Sequence, residues 1–172
     1  MAELTVQERL QPALLDRLTD DEPEKSVESR DQRIIALPKL RQAILRDLSW
    51  LLNTPHLAST EDLEDYPEVA RSTLNYGLPS FAGSAVARLS AAAVERAIKE
   101  AILRFEPRLL ENSVKVTMVT GEGSDDASHS AEIEIEAELW AQPVPLRMFM
   151  KTEVDLEIGN ITLTERSESR RR

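Results

Sequence analysis

Glu106, Pro107 and Arg108 place a carboxylate and a guanidinium on either side of a ring that cannot donate a backbone hydrogen bond. The triplet falls where the strongest helical pattern ends and the first alternating pattern begins. Pro107 disfavours helical geometry at Glu106, so the helix must stop there. A carboxylate at a helix C-terminus meets the negative end of the macrodipole, at a cost of a few tenths of a kcal/mol to about 1 kcal/mol. The chemistry open to such residues is ion pairing and polar recognition at a rigid kink. Taken alone, they read as a surface helix end with an incidental ion pair of little energetic weight.

Other chemistries find fewer candidates. There is no cysteine, which excludes disulfides, thiol nucleophiles and thiolate metal sites. The histidines, His56 and His129, fall in predicted loops and form no pair at metal-ligand spacing. Gly121-Glu122-Gly123 lacks the following helix of a dinucleotide fingerprint, and there is no nucleophile elbow. Carboxylates are plentiful, but glycoside hydrolysis needs two across a cleft, one with a raised pKa. Here most acids lie on an exposed strand face or in the connector Glu61-Asp62-Leu63-Glu64-Asp65, which reads as a solvated loop. No catalytic residue, no cofactor and no metal ligand is expected.

The chain has 172 residues, enough for one domain with a sizeable core. Aromatics are only 4%, so that core must be aliphatic. The formal net charge of −10 argues against a generic nucleic-acid or anionic-membrane binder and leaves basic protein surfaces open as partners. Met1-Ala2-Glu3-Leu4-Thr5 lacks the basic-then-apolar order of a signal peptide, and no apolar run approaches the roughly 18 residues that span a bilayer. The expectation is a soluble cytoplasmic protein without direct membrane insertion.

The elements that must position the triplet follow from periodicity. Residues 1–33 read as an N-terminal helical appendage and a charged linker: Thr5-Val6-Gln7-Glu8 has capping-box form, and Leu14, Leu15 and Leu18 make one apolar face. Leu40, Ile44, Leu48, Leu51 and Leu52 form a helical stripe between Pro38 and Pro55. Pro67 opens a short helix with Val69 and Leu74, which Gly77 is placed to end. Ser90 caps the helix that buries Val94, Ile98, Ala101, Ile102 and Phe105; Glu95–Lys99 and Arg96–Glu100 are charge pairs on its exposed side.

Beyond Arg108 the period becomes two. Val114, Val116 and Met118 alternate with polar residues, and Ile133, Ile135, Ala137 and Leu139 alternate with four glutamates. A third run, 144–158, is long enough to predict a bend or bulge. Gly159-Asn160 resembles a hairpin turn leading to Ile161 and Leu163. The expected fold is α+β: a compact single domain over 34–165, with an antiparallel sheet of about four strands and helices on one face. Residues 166–172 read as a disordered basic tail.

Several segments resemble one family in order: Gln11 to Asp20, Arg41 to Thr54, Leu74-Asn75-Tyr76-Gly77-Leu78-Pro79, Phe105-Glu106-Pro107-Arg108-Leu109, and Phe149 to Leu156. Together they are similar to TssE, the small baseplate subunit of bacterial type VI secretion systems. The wider family is the contractile-phage baseplate wedge proteins that carry a "lysozyme-like" label. The resemblance implies a structural subunit that joins the wedge proteins TssF, TssG and TssK, docked at the inner membrane, and nucleates the contractile sheath of TssB and TssC. It implies that Glu106, Pro107 and Arg108 are the protein-binding element, with another chain as the partner of Glu106. It further implies that alanine at Glu106 or Arg108 leaves the domain folded and abolishes assembly. Similarity to the sheath's interlocking domain implies strand addition at a sheet edge. The label and the fold also suggest two rivals, a peptidoglycan hydrolase and a regulator-binding anti-adaptor.

Overall fold

The computed structural model describes residues 13–19, 24, 37–79, 90–119, 130–140, 145–155 and 160–165. Among the described residues, four α-helices come first: α1 (Leu14–Leu18), α2 (Leu37–Asn53), α3 (Pro67–Arg71) and α4 (Ala91–Phe105). Strands β1 (Lys115–Val119), β2 (Ser130–Leu139), β3 (Leu146–Asp155) and β4 (Ile161–Glu165) follow. They form one antiparallel sheet in the order β1-β2-β3-β4. The long helices pack against it, α4 beside β1 and α2 beside β4. This is the α+β arrangement that the change of period predicts.

Each side of the core comes from one periodicity. The α2 stripe Leu40, Ile44, Leu48, Leu51 and Leu52 is buried, as are Val94, Ile98, Ala101 and Ile102 of α4. The Ser90 hydroxyl accepts from the Ala93 N–H at the α4 N-terminus. Across from the helices, β2 buries Ile133, Ile135, Ala137 and Leu139, while β3 buries Met148, Met150 and Val154. A slip of one residue would turn the β2 glutamates into this core, so burial holds the register. On the outer face, Lys151 meets Glu132 at 2.6 Å and Arg147 meets Glu138 at 3.2 Å. These are exposed cross-strand pairs of small energetic weight.

The apolar face of helix α1 points outward: Leu14 and Leu18 are 72% and 73% exposed. Three local expectations are corrected. Gly77 does not end a helix. Helix α3 stops at Arg71, and a separate 3₁₀ turn spans Thr73–Asn75 with Leu74 exposed. Gly77 instead lets Leu78 pair with Pro55, where His56 N–H donates to Leu78 O and Leu78 N–H donates to Thr54 O. Its φ is +121°, and a Cβ there would sit 2.1 Å from Thr54 O. Strand β3 pairs with β2 without a bulge from Leu146 to Asp155, since all ten pairs keep one register. Finally, Glu95 accepts from the Met118 N–H on edge strand β1 rather than pairing with Lys99.

The capping-box residues, nearly all of the charged linker, residues 120–129, Gly159 and the basic tail lie outside the described residues.

Candidate functional site

Helix α4 ends at Phe105, and Glu106 is its C-cap, with its N–H donating to Ile102 O at 2.9 Å. The chain then turns through Pro107, which is exposed. The next residues run antiparallel to the end of β2: Leu110 N–H donates to Glu138 O and Trp140 N–H donates to Arg108 O, both at 2.8 Å. Leu109 is buried opposite Leu139. The proline kink is therefore held from one side by a helix and from the other by the sheet.

The sequence reading of an incidental surface pair is wrong. Glu106 is only 4% exposed. Arg108 answers it through three donors: Nε to Oε1 at 2.6 Å, Nη2 to Oε2, and its backbone N–H to Oε1 at 3.2 Å. The fork geometry makes these charge-assisted bonds the strong kind. Arg108 Nη2 also donates to Asp47 Oδ2 on α2 at 2.7 Å. Burial disfavours the Arg108 cation, yet its hydrogen bond and charge attraction to Glu106, then those to Asp47, hold its pKa above the usual arginine value. The carboxylate that looked misplaced at a helix end thus has its partner inside the same chain.

The network continues past Asp47. Its Oδ1 accepts from Arg46 Nε at 2.9 Å, and Arg46 Nη1 donates to Asp16 of α1 at 2.8 Å. Charges alternate along Asp16, Arg46, Asp47, Arg108 and Glu106. For Arg46, burial again works against the cation, and the bonds to Asp16 and Asp47 outweigh it. Tyr76 stands close by, edge-on to Phe105 with ring centres 5.1 Å apart. Burial first, then the charges of Asp47 and Glu106, push the Tyr76 phenol above its usual pKa.

Beside the kink lies an open trough of about 490 Å³, whose walls include Trp50, Leu51, Tyr76, Phe105, Pro107 and Arg108. Two half-exposed tryptophans join this region, Trp50 through its side chain and Trp140 through its backbone N–H. Trp50 is 51% exposed in the trough wall, under the Arg46 guanidinium at 5.2 Å. Trp140 is 48% exposed and hydrogen-bonds the Arg108 carbonyl. Tryptophan is over-represented among the residues that dominate protein interfaces. Sequence reasoning missed both tryptophans, although each sits outside the apolar period of its own element, and that was the available signal. It also missed Asp47, the residue that joins two separately quoted segments.

Among the described residues, no group of three or more His, Cys, Asp or Glu side chains could hold a metal ion, and no helix is long and apolar enough to cross a membrane. The arrangement offers recognition: a rigid proline tip, a braced ion pair behind it, and aromatic walls.

A family model described as baseplate wedge protein gp25 matches residues 38–144, a span that contains Asp47, Trp50, Glu106, Pro107, Arg108 and Trp140. No curated protein and no solved structure matches the chain.

Proposed function

The chain belongs to the baseplate wedge protein gp25 family, and from that premise we propose that it is the TssE-type structural subunit of a type VI secretion baseplate. It joins the wedge subunits TssF, TssG and TssK through Glu106-Pro107-Arg108, and it nucleates polymerisation of the sheath subunits TssB and TssC. It acts as an assembly part rather than as an enzyme, in the cytoplasm, within a complex at the inner membrane. Residues 34–165 are the wedge-type domain, with 1–33 as an appended segment and 166–172 as a basic tail.

One observation carries this reading: an exposed proline stands on a buried, braced Glu–Arg pair, beside a trough walled by the half-exposed Trp50. A buried ion pair is a weak device for stability alone, because desolvation offsets most of its Coulombic gain. Rigid positioning of a contact tip gives it a purpose, since preorganisation lowers the entropic cost of association. For the sheath, β1 and β4 are the outer strands of the sheet; Glu95 caps β1 at Met118 and Asn53 caps β4 at Ile161, so a strand from another subunit would add to the edge beyond those two points.

The test is an affinity pull-down of tagged protein from its native host, compared with Pro107→Lys. Pro107 is exposed, so the variant keeps the core and charges the tip. Recovery of wedge and sheath subunits by the wild type, lost in Pro107→Lys, is expected. Equal recovery by both would place the contact elsewhere on the chain, and recovery by neither would overturn the assembly role.

A further inference from the structure

Helix α1 has only five residues, far below the length at which an isolated helix is stable in water. It does not dock by its apolar side chains, since Leu14 and Leu18 face outward. What it inserts is a carboxylate: the Asp16 side chain is 6% exposed, and its Oδ2 has no hydrogen-bond partner. Burying a charge with one oxygen unsatisfied is costly. What holds α1 is therefore the Asp16–Arg46 contact, a costly device if stability were its only purpose.

The explanation lies two residues along the network. Asp47 divides one carboxylate between two guanidiniums, Oδ1 to Arg46 and Oδ2 to Arg108. Arg46 Nη2 also lies 2.8 Å from Oδ1, close enough for ion pairing but out of line for a hydrogen bond. Arg46 is thus poised to take Asp47 in the two-pronged geometry that guanidinium and carboxylate prefer. Asp16 anchors the guanidinium through Nη1, in the position where Nε and Nη2 both face Oδ1 of Asp47 and leave Oδ2 to Arg108. With Asp16 withdrawn, Arg46 is free to swing onto both Asp47 oxygens, which draws Oδ2 away from Arg108 Nη2 and weakens its bond to α2. Since Arg108 Nη1 already lacks an acceptor, the guanidinium would then be held by Glu106 alone.

We propose that Asp16 is a positioning residue for Arg108: by occupying Arg46 it leaves Asp47 to hold the guanidinium, so docking of α1 sets the Glu106-Pro107-Arg108 element. Asp16 lies outside residues 38–144, the span that the family model matches. The consequence for assembly rests on reading the element as a partner contact; the coupling itself does not.

The experiment uses the full-length chain and follows the Arg108 side chain by ¹⁵N NMR, reading rotation about Nε–Cζ and solvent exchange of the Nη protons. Asp16→Ala is expected to accelerate both by about tenfold or more, the effect of losing one hydrogen bond between charged groups. Adding Arg46→Gln to Asp16→Ala removes the competitor and is expected to return both rates towards wild type. A role of α1 in packing alone would leave the double variant as fast as the single one. Unchanged Arg108 rates in Asp16→Ala, or no recovery in the double variant, would overturn the proposal. If recovery is seen while Pro107→Lys still captures the wedge subunits, the coupling stands and the partner reading fails.

Discussion

Arg108 Nη2 donates to Asp47 Oδ2 at 2.7 Å across a sequence separation of 61 residues, and this bond ties helix α2 to the turn that follows α4. It gives the Glu106–Arg108 pair two roles. The pair stiffens the exposed proline tip, and it also neutralises a carboxylate that the fold has taken out of water.

Arg108→Met should therefore destabilise the isolated chain by about 3–5 kcal/mol, because it strands Glu106 in a buried position. Adding Glu106→Gln to Arg108→Met should recover part of that loss, since the stranded charge is removed as well. Urea unfolding of the single and double variants measures the difference. This departs from the expectation, implied by the family resemblance, that either ion can be deleted while the domain stays folded. Assembly is better probed through Pro107.

Tyr76 reports the charge of the site. Its pKa is raised by burial and then by Asp47 and Glu106, so the folded state favours the neutral phenol. The unfolded chain loses that proton first, near the ordinary tyrosine pKa of about 10. The contribution to stability is thus fully present below about pH 10 and is lost as pH rises through the higher folded value. Tyr76→Phe should flatten this alkaline loss. In Glu106→Gln, ultraviolet titration should show the Tyr76 phenolate forming at lower pH than in the wild type.

Asn53 closes the outer edge of β4 at Ile161: its Nδ2 donates to Ile161 O and its Oδ1 accepts from Ile161 N–H, both at 2.8 Å. One amide side chain thus stands in for a strand residue. Asn53→Asp keeps the acceptor, loses the donor and sets a carboxylate against a carbonyl. It should cost about 1–3 kcal/mol and speed hydrogen exchange at the Ile161 amide. Unaltered exchange there would show that the edge is held by other contacts.

Gly77→Ala should cost at least ~2 kcal/mol, because strain at positive φ adds to a clash with backbone. The clashing atom is Thr54 O, which belongs to the main chain and cannot rotate away. Thermal unfolding checks this, and a neutral result would require the Pro55–Leu78 pairing to have shifted.

Those residues also show what was legible in the sequence. The α2 stripe, the Ser90 cap, the stop at Pro107 and the alternation of β2 are local patterns with one dominant physical cause, and each appears as read. Gly77 was read as a helix end because glycine serves there cheaply, whereas the close approach of Thr54 is a tertiary fact with no local mark. The α1 leucines show an apolar face, but periodicity does not say what covers it, and Asp16 is drawn inward by Arg46, 30 residues away. At the site, the kink and its ion pair were visible and their burial was not. Asp47 carried no signal of its own, since a charged residue off the apolar stripe normally faces water.

The most direct test of the contact element is co-elution of the purified chain with recombinant TssF–TssG wedge on size exclusion, for the wild type and for Pro107→Lys, with circular dichroism on both. The expected result is a wild-type complex and a free, fully folded Pro107→Lys variant. A folded Pro107→Lys variant that co-elutes with the wedge as the wild type does would contradict the assignment of Glu106-Pro107-Arg108 as the element that joins it.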